Sequence, residues 1–327
     1  MSDTLAAGQE VISNPMLDRL DRPQTPTALR RPAFLMNFPF SYTTAIANNV
    51  WMEEIEPEQR EPSFERAMVQ FLELYRYLAT EALVYLLPTP RDRHLQDLVF
   101  TSNLGVVLEH PESKDTVVLS NFTSEPRRGE TEVGAGFFQG MGYRTYVAPA
   151  KFEGDAELKH LHDNVYVGGY GIRSQRETYE WMERMFDMKV VKLEMTDPYM
   201  YHLDCTVFPI TREDTLVCTE MYKKHELAAL EKHTNIIDVS VEDCLSGICN
   251  SVRLTNLILN ASHIHDLKVG TEEYVAELQK NRRLEDIAHK LAFEVSYFNL
   301  SEYLKGGALL SCMVMHLNRY SYAFALL

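Results

Sequence analysis

Apolar and polar positions along this chain change period in a recurring order. From Phe64 to Leu86 apolar residues return at helical spacing until "LLPTP" ends the run. After that the pattern alternates. "DLVFTSNLGVVLEHPESKDTVVLSNF" reads as strand, turn, strand, followed by a helical "EVGAGFFQGMGY" and a strand "RTYVAPA". "AELKHLHDNVYVGGYGI", "QRETYEWMERMFD" and "MKVVKLEM" repeat hairpin, helix and strand. So do "HLDCTVFPITREDTLVCTE", "KKHELAALEKH" and "NIIDVS". "GICNSVRLTNLILNAS" opens a fourth unit, with a long helical "EEYVAELQKNRRLEDIAHKLAFE" behind it. "GALLSCMVMHL" supplies a fifth strand region near the C-terminus. A mixed strand-and-helix unit repeating every ~50 residues predicts an α/β array closed into one domain. Residues 1–30, polar and broken by "SNP", "DRP" and "TPT", are expected to be a flexible tail before a single domain over 31–327.

Charge and composition narrow the class. The net charge of −15 over 327 residues disfavours a nucleic-acid or anionic-membrane surface. No apolar run reaches the roughly 18 residues of a membrane span, and the first residues lack a signal-peptide pattern. The five cysteines (205, 218, 244, 249 and 312) show no CxxC or zinc spacing. Reduced thiols in a cytoplasmic protein are expected, with no metal and no cofactor.

Several stretches carry chemistry-bearing residues. In "PYMYHLDCTVFPI", read as a strand, His202 and Asp204 share a face and Cys205 takes the other. Such a His–Asp pair suits a metal half-site, a general base beside a substrate-binding carboxylate, or a structural histidine. "KFEGDAEL" clusters Glu153, Asp155 and Glu157, which read equally as a solvated turn. "NASHIHD" brings His263, His265 and Asp266 into a polar, loop-like setting. In "LKGGALLSCMVMHLNR" glycines precede Cys312, a potential nucleophile if its surroundings favour the thiolate. "GGYGIRSQRE" sets Arg173 at a strand-to-helix turn, where a guanidinium can clamp a carboxylate or form a surface ion pair.

In order along the chain, "FLMNFPFSYTTAIANNVWM", "DLVFTSNLGVVL", "FEGDAEL", "GGYGIR", "YHLDC" and "GGALLSC" resemble the guanidino-group-modifying superfamily. That superfamily comprises arginine deiminases, dimethylarginine dimethylaminohydrolases, amidinotransferases and bacterial arginine dihydrolases, and the dihydrolases are the most similar. The resemblance spans residues 34–319 and implies the five-bladed ββαβ propeller of the pentein fold. It further implies Cys312 as nucleophile, His202 as general acid/base and Glu153 as the carboxylate that orients His202. Asp204 and Asn103 would hold the guanidinium, with Asp155 or Glu157 as a second carboxylate. Asn49, Arg127 and Arg173 would bind the amino-acid end.

The implied substrate is arginine or a close analogue, hydrolysed through a covalent thiouronium to ornithine or citrulline. The alternatives are amidine transfer, dialkylarginine hydrolysis, or a non-catalytic arginine-binding module. Asn at position 103, where deiminases carry Asp, removes one negative charge and favours a second hydrolysis of a neutral ureido intermediate. The pattern departs from the family at Asn49–Val50, where it has Asn-Pro, at Asn37, where the dihydrolases carry Cys, and at Gly307–Ala308, where the Gly-Gly pair falls. Asn250 matches a recurring asparagine that can be purely structural. A homo-oligomer is compatible with the sequence.

Overall fold

The computed structural model describes residues 25–110 and 114–323. Within them, fifteen strands form five three-stranded sheets. Strand β1 (Ala33–Asn37) runs parallel to β2 (Leu83–Leu87), and the helix Phe64–Glu81 connects them. The next three sheets are each built from consecutive chain. Strand β3 (Gly105–Val107) is antiparallel to β4 (Thr116–Leu119), which is parallel to β5 (Arg144–Val147) across the helix Glu130–Gly140. Strands β6 (Leu158–His162), β7 (Val165–Tyr170) and β8 (Lys189–Glu194) repeat the arrangement, as do β9 (Val207–Pro209), β10 (Asp214–Val217) and β11 (Asn235–Asp238). The fourth sheet joins β12 (Val252–Leu254), β13 (Leu257–Ala261) and β14 (Glu294–Phe298). Finally β15 (Met315–His316) pairs antiparallel with β1, so the fifth ββαβ unit is stitched from both ends of the described chain.

Local sequence explains the elements. In the helix Phe64–Glu81, Ser63 caps the first turn by accepting from the Arg66 N–H, and Ala67, Phe71, Leu74 and Leu78 form one buried stripe. The helix Arg176–Phe186 buries Tyr179, Met182 and Phe186 and leaves Arg176, Glu177 and Arg184 exposed. Every residue of β4 is buried, as befits a valine-rich central strand covered on both faces. Apolar clusters weld neighbouring units together. One joins Val167 and Leu193 to Val207, Phe208 and Leu216, and then to Ile258, across three sheets.

Three expectations change. Leu83–Leu87 leaves the helical run and becomes a strand, because residue-by-residue pairing with Ala33–Asn37 decides its conformation. Glu294, read as the last residue of a helix, instead opens the strand Glu294–Phe298, which pairs with β13. "DLVF" and "HLDC" are not strands: Thr101–Asn103 and Leu203–Cys205 are single 3-10 turns that immediately precede β3 and β9. The expected tail lies outside the described residues as far as residue 24. From Thr25 onward the chain is packed, with Pro26 O accepting from Asn318 Nδ2 and Thr27 Oγ1 3.0 Å from Tyr143 OH.

Equivalent turns recur at the head of each unit. Besides Thr101–Asn103 and Leu203–Cys205 there are Gly154–Ala156 before β6 and Ser311–Met313 before β15, while a bend at residues 248–250 precedes β12. These turns interlock. Thr101 Oγ1 is 3.0 Å from Met313 O, and Gly154 fits against the backbone of Ser102 and Asn103. Gly154 has φ +66°, and a Cβ there would sit 2.5 Å from Ser102 O. Gly154→Ala is therefore expected to cost about 2 kcal/mol or more. A urea midpoint that did not move would show that the two turns can separate freely.

Candidate active site

The four turns and the bend carry most of the side chains singled out from the sequence. His202 stands just before the turn Leu203–Cys205 with extended backbone, and Asp204 lies within it. Cys312 lies within Ser311–Met313. Its Sγ is 3.9 Å from Asp204 Oδ2 and accepts from Asn250 Nδ2 at 3.4 Å. Asn250 Oδ1 accepts the Ser311 N–H at 2.8 Å, and Ser311 Oγ donates to Asp204 Oδ2 at 2.6 Å. One turn is thereby tied to two others around a single sulfur. Cys312 is buried, at 6 % exposure, but it lines a cavity of about 420 Å³ together with His202, Asn250 and Tyr201.

Glu153, fully buried, sits behind His202, with Oε2 2.7 Å from His202 Nε2. Burial alone would raise the Glu153 carboxyl, but Arg173, the His202 hydrogen bond and Arg127 outweigh it and bring it to about 2. An ionised carboxylate only accepts, so His202 Nε2 carries the proton and Nδ1 is left to exchange one with a ligand. Asn103 Nδ2 lies 3.3 Å from the same Nε2, which puts Asn103 on the Glu153 side of the imidazole. Burial, and then the Asp204 carboxylate, push the Cys312 thiol up to about 12. The resting sulfur is thus a protonated thiol.

Not every expected residue joins this cluster. Asp155 faces away: the 3-10 turn after Glu153 directs it to His316 Nδ1 at 2.9 Å and Arg319 Nη2 at 2.5 Å. Despite burial, Arg319, Lys159 and His316 hold its carboxyl well below the usual range. Asp155 is therefore a structural ion, not a substrate ligand. Glu157 accepts the Leu203 N–H through Oε2, and burial followed by the Glu153 charge pushes its carboxyl well above the usual range. It is a buried neutral acid that anchors the His202 turn. Arg127 gives its guanidinium to Glu130 (Nη2–Oε2 2.8 Å, Nε–Oε1 3.0 Å) and covers the Phe122 ring. Asn49 caps a helix by accepting from Met52 N and donates to Gly306 O. Arg173 bonds Asn48 O at 2.5 Å, approaches Glu153 Oε1 at 3.4 Å and lies over the Tyr201 ring.

Two readings from the sequence are amended here. Cys205, assigned to the far face of a strand, is only half-buried, and its Sγ is 3.9 Å from Asp204 Oδ1 on the wall of the same cavity. A 3-10 turn does not alternate faces as a strand does, so it brings 204 and 205 to one side. Ser311 and Tyr201 were not singled out. Ser311 fixes Asp204, and Tyr201 packs on the His202 ring at 4.7 Å with its hydroxyl on Gly307 O. Their adjacency to Cys312 and His202 was the signal available. His263 lines the cavity, but among the described residues no group of three or more His, Cys, Asp and Glu side chains is arranged to hold a metal ion.

Comparison with known proteins identifies the family and the fold. A family model described as N,N dimethylarginine dimethylhydrolase, eukaryotic, matches residues 36–319. The bifunctional arginine dihydrolase/ornithine cyclodeaminase AgrE of Nostoc sp. is 28 % identical over 292 residues, 87 % of this chain and 38 % of AgrE. The N(G),N(G)-dimethylarginine dimethylaminohydrolase of Mycobacterium tuberculosis is 25 % identical over 305 residues, 92 % of this chain and 90 % of that protein. The crystal structure of the product-bound N-terminal domain of ArgZ, a cyanobacterial arginine dihydrolase, matches with TM-score 0.75 at 26 % identity, covering 88 % of this chain and 97 % of that domain. A variant of the same domain, at TM-score 0.75, 25 % identity and the same coverage, is covalently bound to a reaction intermediate. The chain spans about two fifths of the length of the bifunctional AgrE and of ArgZ from Synechocystis sp..

The high thiol pKa has a direct consequence. Alkylation of Cys312 by neutral iodoacetamide, followed by peptide mass spectrometry, is expected to be slow at pH 7 and to rise about tenfold per pH unit. Asp204→Asn is expected to speed it at pH 8. Fast, pH-independent labelling of Cys312 in the unsubstituted protein would contradict the burial and charge argument.

Proposed function

The chain belongs to the N,N-dimethylarginine dimethylhydrolase family of the guanidino-group-modifying superfamily, and we propose that it hydrolyses the guanidino group of arginine or a close analogue through Cys312. The observation that carries this reading is the pairing of Cys312 Sγ with the buried Asp204 Oδ2 at 3.9 Å, beside a cavity that Cys312 and His202 line. A guanidinium is a planar cation and a poor electrophile, so it must be gripped by a carboxylate and met by a strong nucleophile. Asp204 would hold two of its N–H groups. The bound cation would then favour the thiolate that Asp204 alone disfavours, and the proton would leave through His202.

The Cys312 sulfur attacks the guanidinium carbon, an S–C bond forms, and the π electrons pass to nitrogen. His202 protonates one nitrogen, the C–N bond breaks and ammonia departs, leaving a thiouronium on Cys312. Water, deprotonated by His202, adds to that carbon, and cleavage of the S–C bond returns the thiolate and a ureido product. A second hydrolysis at the same sulfur would give ornithine, carbon dioxide and a second ammonia. Glu153 would hold the imidazole in the required tautomer throughout. The covalent intermediate captured on the ArgZ domain supports the same class of mechanism.

Two wider features follow from the same reading. We propose that the five units close as a five-bladed propeller about the interlocked turns, in one domain over residues 31–327. Free thiols at all five cysteines, including Cys244 and Cys249 with sulfurs 3.8 Å apart, support a reducing, cytoplasmic setting. No helix among the described residues is long and apolar enough to cross a membrane.

The test is to incubate the protein with arginine and with N(G),N(G)-dimethylarginine, following ammonia, dimethylamine, citrulline and ornithine. Arginine turnover to ornithine is expected, abolished in Cys312→Ser, with Asn103→Asp stopping at citrulline. Activity that survives Cys312→Ser would refute the thiolate mechanism, and unchanged ornithine yield in Asn103→Asp would refute the role given to Asn103. Release of dimethylamine but not of ammonia would favour the second reading, dialkylarginine hydrolysis, which the family description and the M. tuberculosis relative support.

A further inference from the structure

We infer that the preferred guanidino compound carries no carboxylate, and that its carbon chain ends in an ammonium group received by Glu273. This rests on the hydrolase reading above and narrows its substrate class. An α-carboxylate in a largely apolar cavity needs a cation or several free donors. Among the described residues, no lysine or arginine lines the cavity that holds Cys312. The three side chains with the right chemistry are engaged. Arg127 is bound to Glu130, and Asn49 is fixed between Met52 N and Gly306 O. Arg173 is held on Asn48 O behind the Tyr201 ring. Asn49 and Arg173 open instead onto an adjoining cavity, with Tyr201 as the shared wall and its hydroxyl fixed on Gly307 O at 2.6 Å.

The rest of the wall has a distinct character. Trp51, Ile55, Tyr199, Leu304 and Leu309 offer apolar surface for a methylene chain. Trp51 is fixed there by its Nε1–H donating to Tyr199 O at 3.0 Å. Charged side chains enter the wall only as Glu273 and Glu277, on the helix Glu272–Lys290. Glu277 is buried and neutralised by Lys280 at 3.0 Å, whereas Glu273 is exposed and has no ion pair among the described residues. The wall's histidines are His202, bonded to Glu153, and His263, whose Nδ1 lies 3.9 Å from Glu277 Oε1. A carboxylate-bearing chain end would therefore meet the Glu273 charge with no lysine or arginine to offset it, whereas an ammonium would meet a partner.

The experiment compares kcat/KM for 4-aminobutylguanidine, butylguanidine and arginine, measured by ammonia release. The aminobutyl compound is expected to exceed arginine by about tenfold, with butylguanidine between them. Glu273→Gln, which lies outside the reacting groups, is expected to raise KM for the aminobutyl compound about threefold or more, leaving its kcat and all constants for butylguanidine unchanged. Arginine turned over as well as or better than the aminobutyl compound would overturn the inference while leaving the hydrolase reading intact. An equal effect of Glu273→Gln on both alkylguanidines would overturn the role of Glu273. Should none of the three be hydrolysed, nor N(G),N(G)-dimethylarginine, the hydrolase reading fails. Calorimetric affinities on Cys312→Ser then decide the inference separately, with the aminobutyl compound expected to bind most tightly and tighter binding of arginine overturning it.

Discussion

A carboxylate and a thiol lie side by side in a buried site, and the proposed chemistry depends on how that conflict is relieved. Asp204 Oδ2 lies 3.9 Å from Cys312 Sγ, and burial together with that charge pushes the thiol up to about 12. Relative to an ordinary thiol the shift is worth on the order of 4 kcal/mol against the nucleophilic form. A cation between the two groups reverses the sign of the field at sulfur. On the proposed reading the nucleophile would be made only when the substrate binds, and a buried cysteine would stay protected from adventitious reaction beforehand. The burial that weakens the resting nucleophile strengthens its interaction with a bound guanidinium.

Holding two such groups together requires a stiff scaffold, and the interlocked turns supply it. Ser311 grips Asp204, Asn250 grips both Ser311 and Cys312, and Glu157 holds the backbone of the His202 turn. Each turn is the first piece of a ββαβ unit whose strands and helix are packed against the next unit. Misplacing one turn would therefore displace a ligand of the same carboxylate. His316, Arg319 and Lys159 around Asp155 stabilise the turn after Glu153 from the other side. That accounts for an acidic residue of the motif that does not face the cavity.

Much of this was legible in the order of residues. The valine-rich strands, the turn signals between them and the amphipathic helices identified the ββαβ unit, because those elements are set by local periodicity. The unit around β1 was harder to read, since its strands come from opposite ends of the chain and Leu83–Leu87 becomes a strand only by pairing with Ala33–Asn37. Glu294–Phe298 was hidden for the same reason, behind a long helical pattern. At the site, the family resemblance implies the proximity of His202, Glu153, Asp204 and Cys312, but strand geometry is not what brings His202 and Asp204 together. Strand alternation does not hold in "HLDC"; a tight turn directs Asp204 inward and brings Cys205 with it. The roles of Arg127, Asn49 and Asp155 were beyond any pattern, because nothing local to them reveals that Glu130, Gly306 and Arg319 already occupy their polar atoms.

On the proposed mechanism a bound guanidinium turns Cys312 into the nucleophile and is then carried on its sulfur. Acid quenching during steady turnover of a guanidino substrate, followed by digestion and mass spectrometry, tests it most directly. A substrate-derived amidino or ureido adduct is expected on the Cys312 peptide, absent without substrate and absent in Asp204→Asn. Turnover with Cys312 unmodified, or an adduct found on Cys205 instead, would contradict it.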